Sequence, residues 1–322
     1  MKRQIHTIAF AILFLFLLPM GVQAAELLIP GGQIIGLQLQ NGTVTVAAFD
    51  DHLGSGARDA GLKIGDELLS IDGCSISCAE DVRTALQKSS TQVTLSIRRG
   101  HKQQSLTLLP RQTEDGPRLG IHLKQGITGI GTVTWYDPET RKFGTLGHGV
   151  NDSGGNLLNM AKGNAYSAQV ISVRKGQSGD PGLLKGNADP LGICGSLLRN
   201  TPQGVFGISK QGWRGEPIPV AAFEEVKTGA ASIRSTVSGT AVQEYSVEIL
   251  KIYPEDRPDC RNFLLKVTDP ALLSKTGGIV QGMSGSPIIQ NGKIIGAVTH
   301  VLVNDPTRGY GIFIENMLDA AA

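Results

Sequence analysis

Ser284 sits in the stretch Gly282-Met283-Ser284-Gly285-Ser286-Pro287. A serine flanked by glycines has the setting of a nucleophile. Glycine lets backbone N–H groups converge on one point, which is what a developing oxyanion needs. The N–H groups of Gly282 and Ser284 are the expected donors. A serine hydroxyl is a weak nucleophile until a base takes its proton and an acid holds that base. Of the six histidines, His6 lies in an N-terminal apolar run, and His52, His101 and His122 lie in or beside a first module. That leaves His148 and His300. His148 ends Phe143-Gly144-Thr145-Leu146-Gly147, a strand returning from the turn Asp137-Pro138-Glu139-Thr140. A hairpin that ends at a histidine aims the imidazole, so His148 is the expected base. His300 closes the strand after the serine and is expected to wall the substrate pocket. Asp152, Asp180, Asp269 and Asp305 are the carboxylates open to consideration.

These side chains must be carried by short strands. Pro287–Gln290 and Lys293–Val298 flank Asn291-Gly292, a strong hairpin signal. Glycine makes up 42 of 322 residues, and aromatics only 5%. Usual glycine content is about 7%. Alternating strands and tight turns from Ala165 to Val237, then Val242–Tyr253 and Phe263–Val267, point to a barrel or sandwich with no long helix. The layout around His148 and Ser284 is similar to that of trypsin-like proteases. By their chain order the acid falls between histidine and serine, where Asp180 fits.

Length and composition frame this. A chain of 322 residues holds about two domains. A net charge of +2 gives no nucleic-acid signal. With no Cys-x-x-Cys and no histidine cluster, no metal site is expected, and no cofactor. Cys74 and Cys78 are close enough to pair, while Cys194 and Cys260 sit in separate segments. Lys2 and Arg3 precede an apolar run from Ile8 to Leu18, and Val22-Gln23-Ala24 offers small residues for cleavage. Residues 1–25 are therefore expected to be an export signal or a retained anchor, placing the rest outside the cytoplasm.

Ala60-Gly61-Leu62-Lys63-Ile64-Gly65-Asp66-Glu67-Leu68-Leu69-Ser70-Ile71-Asp72-Gly73 resembles a PDZ domain. The amphipathic helix Ala79–Gln87 and the strands Val93–Arg98 and Gln104–Leu109 fit that fold. The resemblance implies that Ile35-Gly36-Leu37 forms the loop receiving a peptide's terminal carboxylate. The bound peptide, with the chain's own terminus among the candidates, would add a strand beside the helix. The bland alternative is a spacer module.

The stretch Val267–Glu315, with Phe143–Gly149 and Asn200–Gly207, resembles the SpoIVB peptidase family of PDZ-bearing serine peptidases from endospore-forming bacteria. The resemblance implies a mainly β chain. A PDZ domain over 27–112 and a linker over 113–125 would precede a trypsin-like double-barrel peptidase domain over 126–322. It places the family's histidine, aspartate and serine on His148, Asp269 and Ser284, and favours Asp269 over Asp180. It also implies secretion from the forespore into the intermembrane space, cleavage of the ectodomain of a membrane-bound regulatory protein that triggers sigma factor K processing, and self-cleavage. Three other readings compete: an HtrA-like quality-control protease, which normally carries its PDZ domain after the protease domain; a Ser–Lys tail-specific protease; and a non-catalytic peptide-binding scaffold. Finally, Met283 precedes the serine where many trypsin-like zymogens have an aspartate. It cannot form the ion pair by which a freshly cut N-terminus activates those enzymes.

Overall fold

The computed structural model describes residues 26–322 except residues 90, 153 and 255. The expected export segment, residues 1–25, lies outside the described residues. Strand β1 (Leu27–Pro30) and the long β2 (Ile34–Phe49) open the described chain. A small unit follows: helix α1 (Ser55–Asp59), β3 (Glu67–Ile71), β4 (Cys74–Ser75), helix α2 (Ala79–Lys88), and the hairpins β5 (Val93–Arg99)/β6 (Lys102–Leu108) and β7 (Arg111–Thr113)/β8 (Gly116–Arg118). Next come β9 (Ile121–Tyr136), β10 (Lys142–Thr145), β11 (Lys162–Arg174), β12 (Leu183–Thr201), β13 (Gly204–Ser209) and β14 (Ile218–Pro219). The last third holds β15 (Gly229–Ser235), β16 (Gln243–Ile252), β17 (Phe263–Val267), helix α3 (Pro270–Thr276), β18 (Pro287–Gln290), β19 (Lys293–Leu302), β20 (Asp305–Phe313) and helix α4 (Ile314–Ala321).

Two six-stranded barrels result. The first runs β9-β10-β13-β12-β11-β2 and closes because β2 pairs back onto β9. The second closes in the order β15-β16-β17-β20-β19-β18. This is the double barrel of trypsin-like proteases. Closure removes the free edges that a long sheet would expose. The second barrel fills with alternate side chains of its strands, among them Ile233, Val247, Ile249, Phe263, Leu265 and Ile288. Phe263 meets Phe313 edge-on with ring centroids 4.6 Å apart. Full burial of such a side chain contributes about 2–3 kcal/mol. The expected Asn291-Gly292 hairpin is present, with φ of 52° and 73°. Two positive φ values are what a type I′ turn requires, and they match the twist of the flanking strands.

The PDZ domain is an insertion rather than a preceding module. Residues 34–39 of β2 lie between β11 and β9 in the first barrel, while residues 44–49 pair with residues 121–125 in the smaller unit. One pair of strands thus runs from the barrel into the PDZ domain and back. The expected division at 112 and 126 is corrected accordingly, because the first barrel takes its opening strand from ahead of the PDZ domain. Residues 113–125 are also no linker, since they contain the end of β7, the whole of β8 and the start of β9. The PDZ core gathers Val44, Val46, Leu68, Ile71, Val82, Leu86, Leu95 and Ile97. Its one fully buried carboxylate, Asp66, is satisfied by Arg99 at 2.6 Å and by the Lys63 N–H at 2.8 Å.

The expected carboxylate loop is also corrected. Ile35, Gly36 and Leu37 are ladder residues, paired with Ser167, Tyr166 and Ala165 on one side and Gly131, Ile130 and Gly129 on the other. With both edges taken, no peptide can add there. Gly36 answers instead to packing, since a Cβ on it would stand 2.5 Å from the Ala188 Cβ. The four cysteines are free thiols. Among the described residues no helix is long and apolar enough to cross a membrane.

Candidate active site

Ser284 lies on the loop between α3 and β18, at the junction of the barrels. Around the serine itself, barrel one grips this loop through β9. Thr132 Oγ1 donates to the Gly282 carbonyl at 2.8 Å, and Thr134 Oγ1 donates to the Gly285 carbonyl at 2.8 Å. The Thr132 N–H donates to the Ser284 carbonyl at 3.0 Å. From the other side, the Gly285 N–H donates to the Val298 carbonyl at 2.7 Å. Gly282 has φ +100°, which an L side chain rarely adopts. In this loop the N–H groups of Met283, Gly285 and Ser286 all find carbonyl acceptors. Those of Gly282 and Ser284 find none among the described residues. Two free donors separated by one residue, next to a serine hydroxyl, make the pattern of an oxyanion hole.

His148 leaves the barrel after β10 through two consecutive left-handed residues, Leu146 (φ 70°) and Gly147 (φ 68°). This backbone turns the imidazole toward the serine loop. Its Nδ1 lies 2.9 Å from the Gly149 carbonyl. That contact favours the tautomer with hydrogen on Nδ1 and leaves Nε2 as acceptor, which a general base requires. Burial lowers the pKa of His148, so the ring stays neutral and ready to accept a proton. Ser284 Oγ donates at 2.7 Å to the Thr299 carbonyl rather than to His148. Both side chains line one cleft of about 530 Å³. His300 faces it too, its ring centroid 5.1 Å from that of His148. The rest of the lining comes from residues such as Leu37, Leu39, Ile130, Ile279, Val280 and Val301, and among the described residues includes no Asp, Glu, Lys or Arg.

The carboxylates do not join this group. Asp269 caps α3 and accepts from the Leu272 N–H at 2.9 Å. Asp180 pairs with Arg174 on the surface. Asp152 holds its own loop through the Gly154 and Asn156 N–H groups, and Asp305 pairs with Arg308 at 3.1 Å. Among the described residues no carboxylate hydrogen-bonds His148. The placement expected for Asp269 beside the base is therefore not what the structure shows, because helix capping already engages its carboxylate.

Sequence reasoning missed the residues that brace the site. Asn200 is the clearest. Its Oδ1 accepts from the Val150 N–H at 2.9 Å, and its Nδ2 donates to the carbonyls of Val150 at 2.8 Å and Leu158 at 2.9 Å. One amide thus fastens the segment after His148 to β12. Its only sequence signal was membership of the Asn200–Gly207 motif. Asn200→Ala should cost about 2 kcal/mol, because it strands the Val150 N–H and the Leu158 carbonyl, while the Val150 carbonyl keeps the Leu158 N–H, and it should lower kcat more than it raises KM. Denaturant unfolding and steady-state kinetics check this, and native-like values in both would contradict it.

Burial, then the neighbouring His148, lower the pKa of His300 from 6.5 to about 4. Its Nδ1 is buried without a hydrogen-bond partner among the described residues. A histidine kept neutral in the fold but free to protonate when unfolded destabilises the fold in acid. Stability should therefore fall as pH drops from 6.5 towards 4, the interval cited for His300, by at most about 3 kcal/mol. Urea melts of the parent and of His300→Phe test this. The substitution should flatten most of that slope, and an unchanged slope would contradict the assignment.

A second groove, about 590 Å³, lies on the PDZ domain between Val82 and Leu86 of α2 and the segment Leu119–Leu123. Along residues 121–125, β9 pairs only with β2 among the described residues, leaving its other edge open. The N–H groups of Leu119 and Gly120 have no acceptor among the described residues, and Gly120 has φ +69°. Leu119-Gly120-Ile121 therefore has the form expected of Ile35-Gly36-Leu37, on the return strand.

A double barrel with a serine loop, a half-buried imidazole beside it and a PDZ insertion is the architecture of a serine peptidase that carries a PDZ domain. Residues 115–318 match the SpoIVB peptidase S55 family and residues 52–99 match a PDZ domain. The chain belongs to the SpoIVB peptidase S55 family. It is 30% identical over 204 residues to a putative zinc metalloprotease of Agrobacterium fabrum, covering 62% of this chain and 50% of that protein. It is 40% identical over 58 residues to the serine protease HTRA1 of Xenopus tropicalis, covering 18% of this chain and 13% of that one. The chain thus spans half or less of the length of these relatives. A protease of M. tuberculosis in its active form aligns with TM-score 0.38 and 15% identity, over 60% of this chain and 72% of that one.

Proposed function

We propose that the protein is a serine endopeptidase in which His148 takes the proton of Ser284 and Ser284 attacks a peptide carbonyl. The observation that carries this is the pair of unpartnered N–H groups, Gly282 and Ser284, on the loop that shares a cleft with His148. As the carbonyl becomes tetrahedral, its oxygen takes both hydrogen bonds. The hydroxyl of Ser284 first leaves the Thr299 carbonyl, which becomes free to accept a substrate N–H. His148 then returns its proton to the leaving amine, and water hydrolyses the acyl-enzyme by the same route.

The family membership supports a role in sporulation signalling: export into the space between the forespore membranes and cleavage of the ectodomain of a membrane regulatory protein, which releases sigma factor K processing. The Lys2–Ala24 segment supports export. The groove at Leu119–Leu123 supports capture of a peptide terminus, from the partner or from the chain itself. The test is a defined digest. The purified chain should cut the regulator's ectodomain, and Ser284→Ala should not. Cleavage of general unfolded proteins with the ectodomain left intact would favour a quality-control role instead.

A further inference from the structure

Asp269 stands 284 − 269 = 15 residues before the nucleophile. Thr-Asp-Pro-Ala-Leu-Leu is also a helix start, with a capping residue followed by proline at the first helical position. The structure uses it that way. Asp269 has extended dihedrals, φ −69° and ψ 119°, and Oδ1 accepts from the Leu272 N–H at 2.9 Å. Oδ2 faces the Ser246 N–H at 3.5 Å, and the Asp269 N–H donates to the Ser246 carbonyl at 3.1 Å. Asp269 thus ties the start of α3 to the first half of β16.

The helix leads straight into the serine loop. It buries Leu272 and Thr276 and ends at Gly277 with φ 76°. Beyond it, the Ile279 N–H donates to the Pro306 carbonyl at 2.8 Å, the Gln281 N–H to the Gly182 carbonyl at 3.3 Å, and the Leu184 N–H to the Gln281 carbonyl at 2.8 Å. Gly282 follows, its carbonyl held by Thr132. From Asp269 to Ser284 the chain is a short relay with its far end clamped by barrel one and its near end fixed by the cap. A helix of two turns has little stability of its own, so the cap and its packing decide whether it holds its place.

We propose that Asp269 is a positioning residue that acts on catalysis through α3, by capping the helix that sets the loop carrying Gly282 and Ser284, and that its carboxylate is not the group that orients His148. This rests on Ser284 and His148 being the nucleophile and base. The two roles demand different chemistry. A cap needs only a short side-chain acceptor, which Asn and Ser supply nearly as well as Asp. An acid that holds an imidazole tautomer is not replaced by an amide, and in the serine-protease triad that change costs about 10⁴-fold in kcat.

The experiment compares Asp269→Asn, Asp269→Ser, Asp269→Ala and Ser284→Ala on one peptide substrate, with kcat/KM across pH and thermal melts for each. We expect Asn and Ser to stay within about threefold of the parent with the acidic limb of the pH profile in place, and Ala to fall by roughly tenfold with a lower Tm. Folded Asn and Ser variants as inactive as Ala would overturn the proposal, as would an Ala variant equal to the parent. Should Ser284→Ala keep the parent's activity, the serine-peptidase reading itself has failed, and the Asp269 series would then carry no weight for either role.

Discussion

Ser284→Ala is expected to lower kcat by about 10⁵- to 10⁶-fold, the scale seen when a nucleophile acting as a unit with its base is removed. The fold should survive. The hydroxyl makes one hydrogen bond, to the Thr299 carbonyl at 2.7 Å, while the loop is held by backbone groups and by Thr132 and Thr134. Net loss of that single bond costs about 1 kcal/mol. A stability close to the parent's together with no turnover is the expected pairing. His148→Ala should lose comparable activity, and adding Ser284→Ala to it should lose little more, because the two side chains act in one step. Steady-state kinetics with a thermal melt of each variant decide it. The pH profile gives a separate check: burial lowers the pKa of His148, so its acidic limb should fall below the ordinary histidine range.

Met283→Asp carries the second large effect, on stability. Met283 has 0% exposure and belongs to the core that also holds Ile34, Leu184, Val280 and Ile288. An aspartate at this position serves trypsin-like zymogens by holding a new N-terminal amine, but here it would stand in apolar surroundings without a counter-charge. Burying an unpaired carboxylate costs at least about 4 kcal/mol, a large part of a typical domain's stability. Met283→Leu keeps volume and polarity and should cost less than about 1.5 kcal/mol. Denaturant melts of the two variants test this. A Met283→Asp protein as stable as the parent would mean that an ammonium or solvent reaches the site, reopening activation by a buried N-terminus.

Much of the double barrel was legible because its signals are local. Asn291-Gly292 calls for a turn with two positive φ values, and the strand-turn-strand around Asp137 predicts where His148 emerges. The period of Val82, Ala85 and Leu86 predicts α2, whose buried residues are those three. The partner of a strand is a different matter. Ile34–Leu39 alternates as a strand should, but nothing local says that it pairs with β9 across roughly ninety residues and with β11 across more than a hundred and twenty. The glycine at position 36 therefore suggested a peptide-binding loop, whereas its role is close contact with Ala188. The stretch expected as a linker, 113–125, carries a hairpin instead, because Arg111–Thr113 pairs with Gly116–Arg118. Asp269 carried two signals at once: a family position that suggested an acid, and an Asp-Pro helix start that the structure obeys. Thr132 and Thr134 gave no signal, because their importance lies in contacts made with residues about 150 positions away.

The central claim is that Ser284 is a nucleophile activated by His148. The most direct measurement is covalent labelling by a serine-directed phosphonate probe, followed by mass spectrometry of the labelled peptide. The label should fall on the Ser284 peptide of the parent protein, be absent from Ser284→Ala, and form far more slowly on folded His148→Ala. Labelling of folded His148→Ala at the parent's rate, or no labelling of a folded parent protein, would contradict the claim.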